Sequence, residues 1–183
     1  MASAIEPGPP TATVGFSSSG SRGSRIDRML HAVRIGLVLL LAIFIGIQLA
    51  PMERANPAFD PKLRIEHHVN VPPDVQAIFN RSCKDCHSDE TTWPWYSRIA
   101  PASWLLVNHV REAREQMNLS EWGAMDSDAA KDVLIEICRQ IKKGNMPVPS
   151  YTWIHRSAAL SPADVTTLCT WSDATRKAIQ AAE

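Results

Sequence analysis

The sequence predicts an all-α protein, a small helical domain carried behind a single membrane-spanning helix. Three observations lead there. Residues 35–50 form an uncharged apolar run in which only Gln48 is polar. Downstream, apolar residues recur at spacings of three and four, in segments bounded by Ser, Pro and Gly. No segment alternates apolar and polar residues as a half-buried strand would, and no internal repeat is evident. With 183 residues and zero formal net charge, the chain has room for one modest domain plus extensions. That neutrality argues against a nucleic-acid partner held by bulk charge.

Residues 1–28 open the chain. Their first part is rich in Ser, Gly, Pro, Ala and Thr, with Phe16 the only aromatic. Such a segment buries too little apolar surface to offset its ordering entropy, so it is expected to be disordered.

Residues 29–50 are read as the membrane anchor. A helix over residues 35–50 is about 24 Å long, slightly short of a hydrocarbon core of ~30 Å. Ala32 and Val33 extend it, and Arg34 can snorkel. A buried core helix would show a polar face, and this run has none. A cleavable signal needs small residues before the cut, whereas Gln48 and Leu49 precede Ala50 and Pro51 follows it. Arg22, Arg25, Arg28 and Arg34 precede the run, against only Glu6 and Asp27. The positive-inside rule then places the N-terminus in the cytoplasm and everything after Pro51 in the periplasm. The expected location is a bacterial inner membrane, crossed once.

Residues 51–73 hold Pro51, Pro57, Pro61, Pro72 and Pro73. Such a density precludes a long helix and suggests an extended spacer. His67 and His68 are read as solvated residues of that spacer.

Residues 74–183 form the helical domain. Val75, Ile78 and Phe79 share one face of a short helix beginning at Pro73. A second helix opens near Pro101, with Leu106, Val110, Ala113 and Met117 as its stripe. Ser120 caps a brief turn carrying Trp122. A third helix starts near Ser127, with Ala130, Leu134, Ile137 and Ile141 inward. Lys142 and Lys143 suit the negative end of its dipole, and Gly144 ends it. The last helix opens with Ser161, Pro162 and Asp164, a Ser N-cap with Pro at N1 and an acid at N3. Val165, Leu168, Cys169 and Ser172 share its inner face. Cys138 and Cys169 each sit on an inner helix face in an oxidising compartment, and a disulfide between them is expected.

One stretch carries chemistry. Cys83-Lys84-Asp85-Cys86-His87 reads C-x-x-C-H, the attachment signal of c-type haem. Two thiols at this spacing reach the two vinyl groups on one porphyrin edge and form thioethers. His87 then falls beneath the ring as proximal iron ligand. A zinc site would need a second ligand pair, and Cys138 and Cys169 are too far apart in sequence to form one. A thioredoxin-like pair would follow a strand in a βαβ pattern, which is absent. The cofactor expected is one haem c per chain, bound at Cys83, Cys86 and His87. The fold expected around it is a small cytochrome-c-like helical domain.

Further candidates follow from that haem. Trp93, Trp95 and Tyr96 supply flat apolar surface, suited equally to porphyrin walls and to ordinary core. Met146 lies between Asn145 and Pro147-Val148-Pro149, in a loop stiffened by two prolines, where it belongs to no helical stripe. It is the expected distal iron ligand. His155 is its serious rival, Met117 is explained by core packing, and Met125 and His109 are weaker candidates. Asp89 and Glu90 are read as a solvated surface pair.

Several segments together resemble a family of bacterial membrane-anchored c-type haem-binding domains. They are Cys83-Lys84-Asp85-Cys86-His87-Ser88, Trp93-Pro94-Trp95-Tyr96-Ser97, Ala100-Pro101-Ala102-Ser103-Trp104, and the stretch 109–114. Asn118 to Trp122, Met146-Pro147, Tyr151 and His155 complete the set. The resemblance covers roughly residues 45 to 175. It implies covalent haem at Cys83 and Cys86 and ligation by His87, and it names no reaction.

Three functional readings remain. A membrane-tethered haem closed by two protein ligands suits one-electron transfer to a redox partner protein, and His/Met ligation raises its potential. The alternative is a gas or redox sensor, or a peroxidase-like enzyme, which needs a displaceable distal ligand. No general-base constellation stands near the motif, so an electron carrier is the expectation, with no catalytic residue. A purely structural haem is a third reading.

Overall fold

The computed structural model describes residues 20–183, and among these there is no strand. The chain divides into two units, residues 1–46 and 47–183. The expectation of disorder over residues 1–19 lies outside the described residues. Residues 20–28, included in that expectation, are instead helical. They begin α1, Gly20–Ile47, because nothing between Gly20 and the apolar run interrupts a helix. The stretch Arg25–Ile47 is long and apolar enough to cross a membrane, and none of its apolar window is buried against protein.

The second unit contains α2 (Pro73–Ser82), α3 (Lys84–His87), α4 (Ala102–Gln116), α5 (Ser127–Lys142), α6 (Pro149–Ile154) and α7 (Pro162–Ala181). Short 3₁₀ turns fill the connections at Pro61–Leu63, Ile65–His67, Trp95–Arg98, Trp122–Ala124 and Arg156–Ala158.

The long pair α5 and α7 packs side by side and is cross-linked by Cys138–Cys169, whose Cα atoms are 4.8 Å apart. Ala130, Leu134 and Ile141 line the buried side of α5, and Leu168 and Trp171 that of α7. The first residues of α7 form the expected capping box. Ser161 Oγ accepts from the Asp164 amide, and the Asp164 carboxylate accepts from the Ser161 amide. Gly144 has φ 70°, the left-handed geometry that closes α5 and that glycine adopts without Cβ strain.

α2 lies against α7, and its Val75, Ile78 and Phe79 are all buried. The Phe79 ring meets Trp171 edge-on, with centroids 5.2 Å apart and planes at 86°, the quadrupole-favoured arrangement. Trp171 is pinned further by its Nε1, which donates to the Asn70 carbonyl at 2.8 Å. Burying a phenylalanine of this kind stabilises by roughly 2–3 kcal/mol. α2 is therefore a fixed post, and the C-x-x-C-H segment begins where it ends.

Residues 51–73, expected to be an extended spacer, are fastened to the domain. Ile65 is 1 % exposed and belongs to the core, and its amide donates to the Leu119 carbonyl. Asn56 Nδ2 donates to the Thr91 carbonyl, and Arg54 donates to the Ser97 carbonyl. The prolines block a helix as anticipated. Their sequence does not reveal that the extended backbone finds partners on residues 91–119.

Candidate functional site

The C-x-x-C-H segment continues directly from α2. The Cys83 amide still bonds to the Phe79 carbonyl, and the amides of Cys86 and His87 both turn back to the Cys83 carbonyl. That reversal forms the single turn α3 and sets the two cysteines beside each other. Cys83 also packs against the hydrophobic core. Both are free thiols, whereas Cys138 and Cys169 are bonded. Burial pushes Cys83 up to about 12, with the nearby Cys86 adding to the shift. Burial and then the Asp85 charge push Cys86 up to about 11. Both are neutral thiols at neutral pH. A reactive dithiol of the oxidoreductase kind needs the opposite, a lowered pKa.

His87 is oriented from behind. Its Nδ1 lies 3.0 Å from the Ala113 carbonyl oxygen and 3.1 Å from that of Met117. Carbonyls only accept, so Nδ1 carries the proton and Nε2 keeps its lone pair. Burial lowers the His87 pKa, which favours that neutral form. The His87 carbonyl is held in turn by the Leu119 amide at 2.7 Å. The end of α4 thus fixes ring tautomer and direction, the service that outer-shell carbonyls perform for ligating histidines.

The segment after the motif is more enclosed than its composition suggests. Asp89, expected on a solvated surface with Glu90, is 3 % exposed. Its carboxylate lies 3.4 Å from Arg114 Nε and accepts from Asn118 Nδ2 at 2.9 Å. Its amide donates to Ser120 Oγ. Arg114 also donates to the carbonyls of Ser88 and Ala55 and to the side-chain oxygens of Asn56 and Thr91. One guanidinium therefore ties α4, the post-motif loop and the residue 55–56 strap together. Glu90 pairs at the surface with Arg64 and Lys84. The sequence offered no sign of this role for Arg114, because its partners lie 23 to 59 positions away.

A second cluster faces the motif from α6 and the Trp95–Arg98 turn. Tyr151 Oη donates to Asp85 Oδ2 at 2.9 Å. Its ring stacks on His155, with centroids 4.3 Å apart and planes at 16°. His155 Nε2 shares a 2.8 Å hydrogen bond with Tyr96 Oη. Burial is the largest cause raising the phenol pKa of both tyrosines, and Cys86 adds to each. Tyr96 is thus brought to the motif. Trp93 donates from Nε1 to Asn56 Oδ1. Trp95 is 74 % exposed and meets the Tyr96 ring edge-on at 5.8 Å. Met146 lies in the α5–α6 loop, half-buried against the core. Met117 is a core residue. The short helix α6, which carries Tyr151, was not evident in a sequence segment dense in proline.

These features define an all-helical domain built around one thiol–imidazole turn, in a chain that also carries a helix long enough to cross a membrane. The chain belongs to the haem-binding domain family, whose model matches residues 42–174. No curated protein and no solved structure matches it. The donor set at the turn fits a haem. It offers two neutral thiols on one short turn and an imidazole whose Nε2 lone pair is left available.

Proposed function

We propose that this protein is a membrane-anchored, periplasmic monohaem c-type cytochrome that carries single electrons. The observation that carries the proposal is the pairing of two free thiols on one turn, Cys83 and Cys86, with a His87 whose Nδ1 is committed to two backbone carbonyls. Cys83 and Cys86 would hold the haem covalently. His87 would be the proximal ligand and Met146 the distal one, and Tyr96 would lie against the ring. When bound, the haem supplies a reversible one-electron couple.

The chain's own residues perform the rest. The carbonyls of Ala113 and Met117 keep the proton on Nδ1 of His87, so Nε2 is the nitrogen that would be offered to the iron. The buried residues Phe79 and Ile78 fix α2 in the core, and the turn continues directly from its end. His155 is engaged by Tyr96 and Tyr151, which leaves the thioether of Met146 as the softer, less committed donor. α1 would hold the protein in the inner membrane, N-terminus inward, consistent with the arginines that precede the apolar run.

The test is a visible spectrum of the purified protein, oxidised and reduced, with and without carbon monoxide, followed by acid–acetone extraction. The expected outcome is haem that stays on the chain and a reduced spectrum indifferent to carbon monoxide. Freely extractable haem would refute covalent attachment. A spectrum shifted by carbon monoxide would favour a sensor or a peroxidase-like enzyme over an electron carrier.

A further inference from the structure

The residues that follow the anchor are clamped to a defined place on the domain. Gln48 Nε2 donates to the Ala100 carbonyl at 3.1 Å, and the Ala100 amide donates to Gln48 Oε1 at 3.0 Å. This two-way amide bridge spans 52 positions of sequence. Trp104 Nε1 donates to the Ala50 carbonyl at 2.9 Å, and Arg54 donates to the Ser97 carbonyl at 3.2 Å. Gln48 follows directly on Ile47, the last residue of α1. One residue of chain spans at most about 3.6 Å. Gln48 and Ala50, among the first residues after α1, are therefore held beside the start of α4.

Unsheltered apolar side chains gather on that same part of the domain. Leu49 is 83 % exposed, Leu105 56 % and Ile99 38 %. Leu105 stands about 200° around α4 from the buried Ser103, so it points away from the core. Trp104 presents an indole whose N–H is already satisfied. Arg54 and Arg98 are exposed at the edge of the patch. Exposed aliphatics beside a tryptophan, rimmed by arginines, match the composition of protein surfaces seated at the headgroup level of a bilayer.

We propose that Leu49, Ile99, Trp104 and Leu105 form a docking surface for the phospholipid headgroup region of the membrane that α1 crosses. This rests on the reading of α1 as an anchor. The occupant is the bilayer, because the chain tethers the patch to it with no intervening slack, and the rim arginines suit lipid phosphate.

The test uses the full-length holoprotein in phosphatidylethanolamine–phosphatidylglycerol vesicles. Nitroxide labels are placed singly at Leu105→Cys and, as an exposed control on α7, at Lys177→Cys. Power-saturation electron paramagnetic resonance compares collision with oxygen, which concentrates in lipid, against a water-soluble nickel chelate. The expected result is an oxygen-to-nickel ratio at position 105 at least about twofold that at position 177. Equal ratios on protein that resists an alkaline carbonate wash would overturn the docking surface and leave the anchor standing. Release of the protein by that wash would overturn the anchor, and the docking surface with it.

Discussion

Tyr96 Oη and His155 Nε2 lie 2.8 Å apart, and a face of the His155 ring is stacked on Tyr151. The imidazole most able to rival Met146 as distal ligand is thereby engaged on both its nitrogen edge and its ring face. Freeing it would break a hydrogen bond and a stacked pair together.

The first prediction follows from that engagement. Met146→Ala should change the ferric spectrum and lower the reduction potential by on the order of 0.1 V, a fraction of the ~0.8 V range that axial ligands command. The haem should remain attached. His155→Ala should leave the ligand-field bands intact. Potentiometric titration of the two variants decides the matter, and a spectral change confined to His155→Ala would show that Met146 is not the ligand.

Arg114 is the second point of attack. Its removal leaves the Asp89 carboxylate buried with Asn118 as its remaining partner among the contacts described above. It also unfastens residues 55–56. Breaking a buried pair on one side costs roughly 3–5 kcal/mol. Arg114→Gln should fall in that range by urea unfolding. Arg114→Lys should recover little, because one ammonium cannot reproduce the fork that reaches Ser88, Ala55, Asn56 and Thr91.

The capping box of α7 gives a pH prediction. The backbone amide of Ser161 is the first cause holding the Asp164 carboxyl below its usual value, with the Ser161 hydroxyl and Arg81 helping. The unfolded chain therefore binds the proton more readily than the folded one, and stability rises with pH through this window. The contribution is complete above the ordinary carboxylate value of about 4 and is lost as pH falls through the depressed folded value. Asp164→Asn should flatten the acid limb of a stability profile measured from pH 7 to pH 2. Ser161→Ala should cost about 1 kcal/mol at neutral pH.

The Cys138–Cys169 bond closes a loop with a sequence separation of 31. In the chain-entropy account this contributes about 3–4 kcal/mol. Maleimide labelling of denatured, unreduced holoprotein should find no free thiol, and the double Cys→Ala variant should lose stability of that order. Two labelled thiols per chain would show the bond to be absent.

The helices were legible wherever local rules decide. Ser161 with Asp164, Gly144, and the Val75–Ile78–Phe79 face each announce themselves within four residues, and each appears as read. Pairing of Cys138 with Cys169 was legible because each inner face could be assigned from periodicity. What escaped depends on distant partners. Asp89 looks solvated beside Glu90 until Arg114 arrives from the far end of α4. Residues 51–73 look like a spacer until Ile65 enters the core and Asn56 meets Thr91 and Trp93. The aromatic trio divided for the same reason. The rings of Trp93, Trp95 and Tyr96 find three different surroundings, set by Asn56, by solvent and by His155.

The strap formed by residues 48–56 governs where encounters can take place. A domain on a loose leash samples a hemisphere and meets partners from above. This domain has its leash sewn into its own side, at Ala100, Ser97 and Thr91. If α1 crosses a bilayer as proposed, a partner would be met by lateral drift in two dimensions. A donor or acceptor would then have to present its own redox edge along that plane.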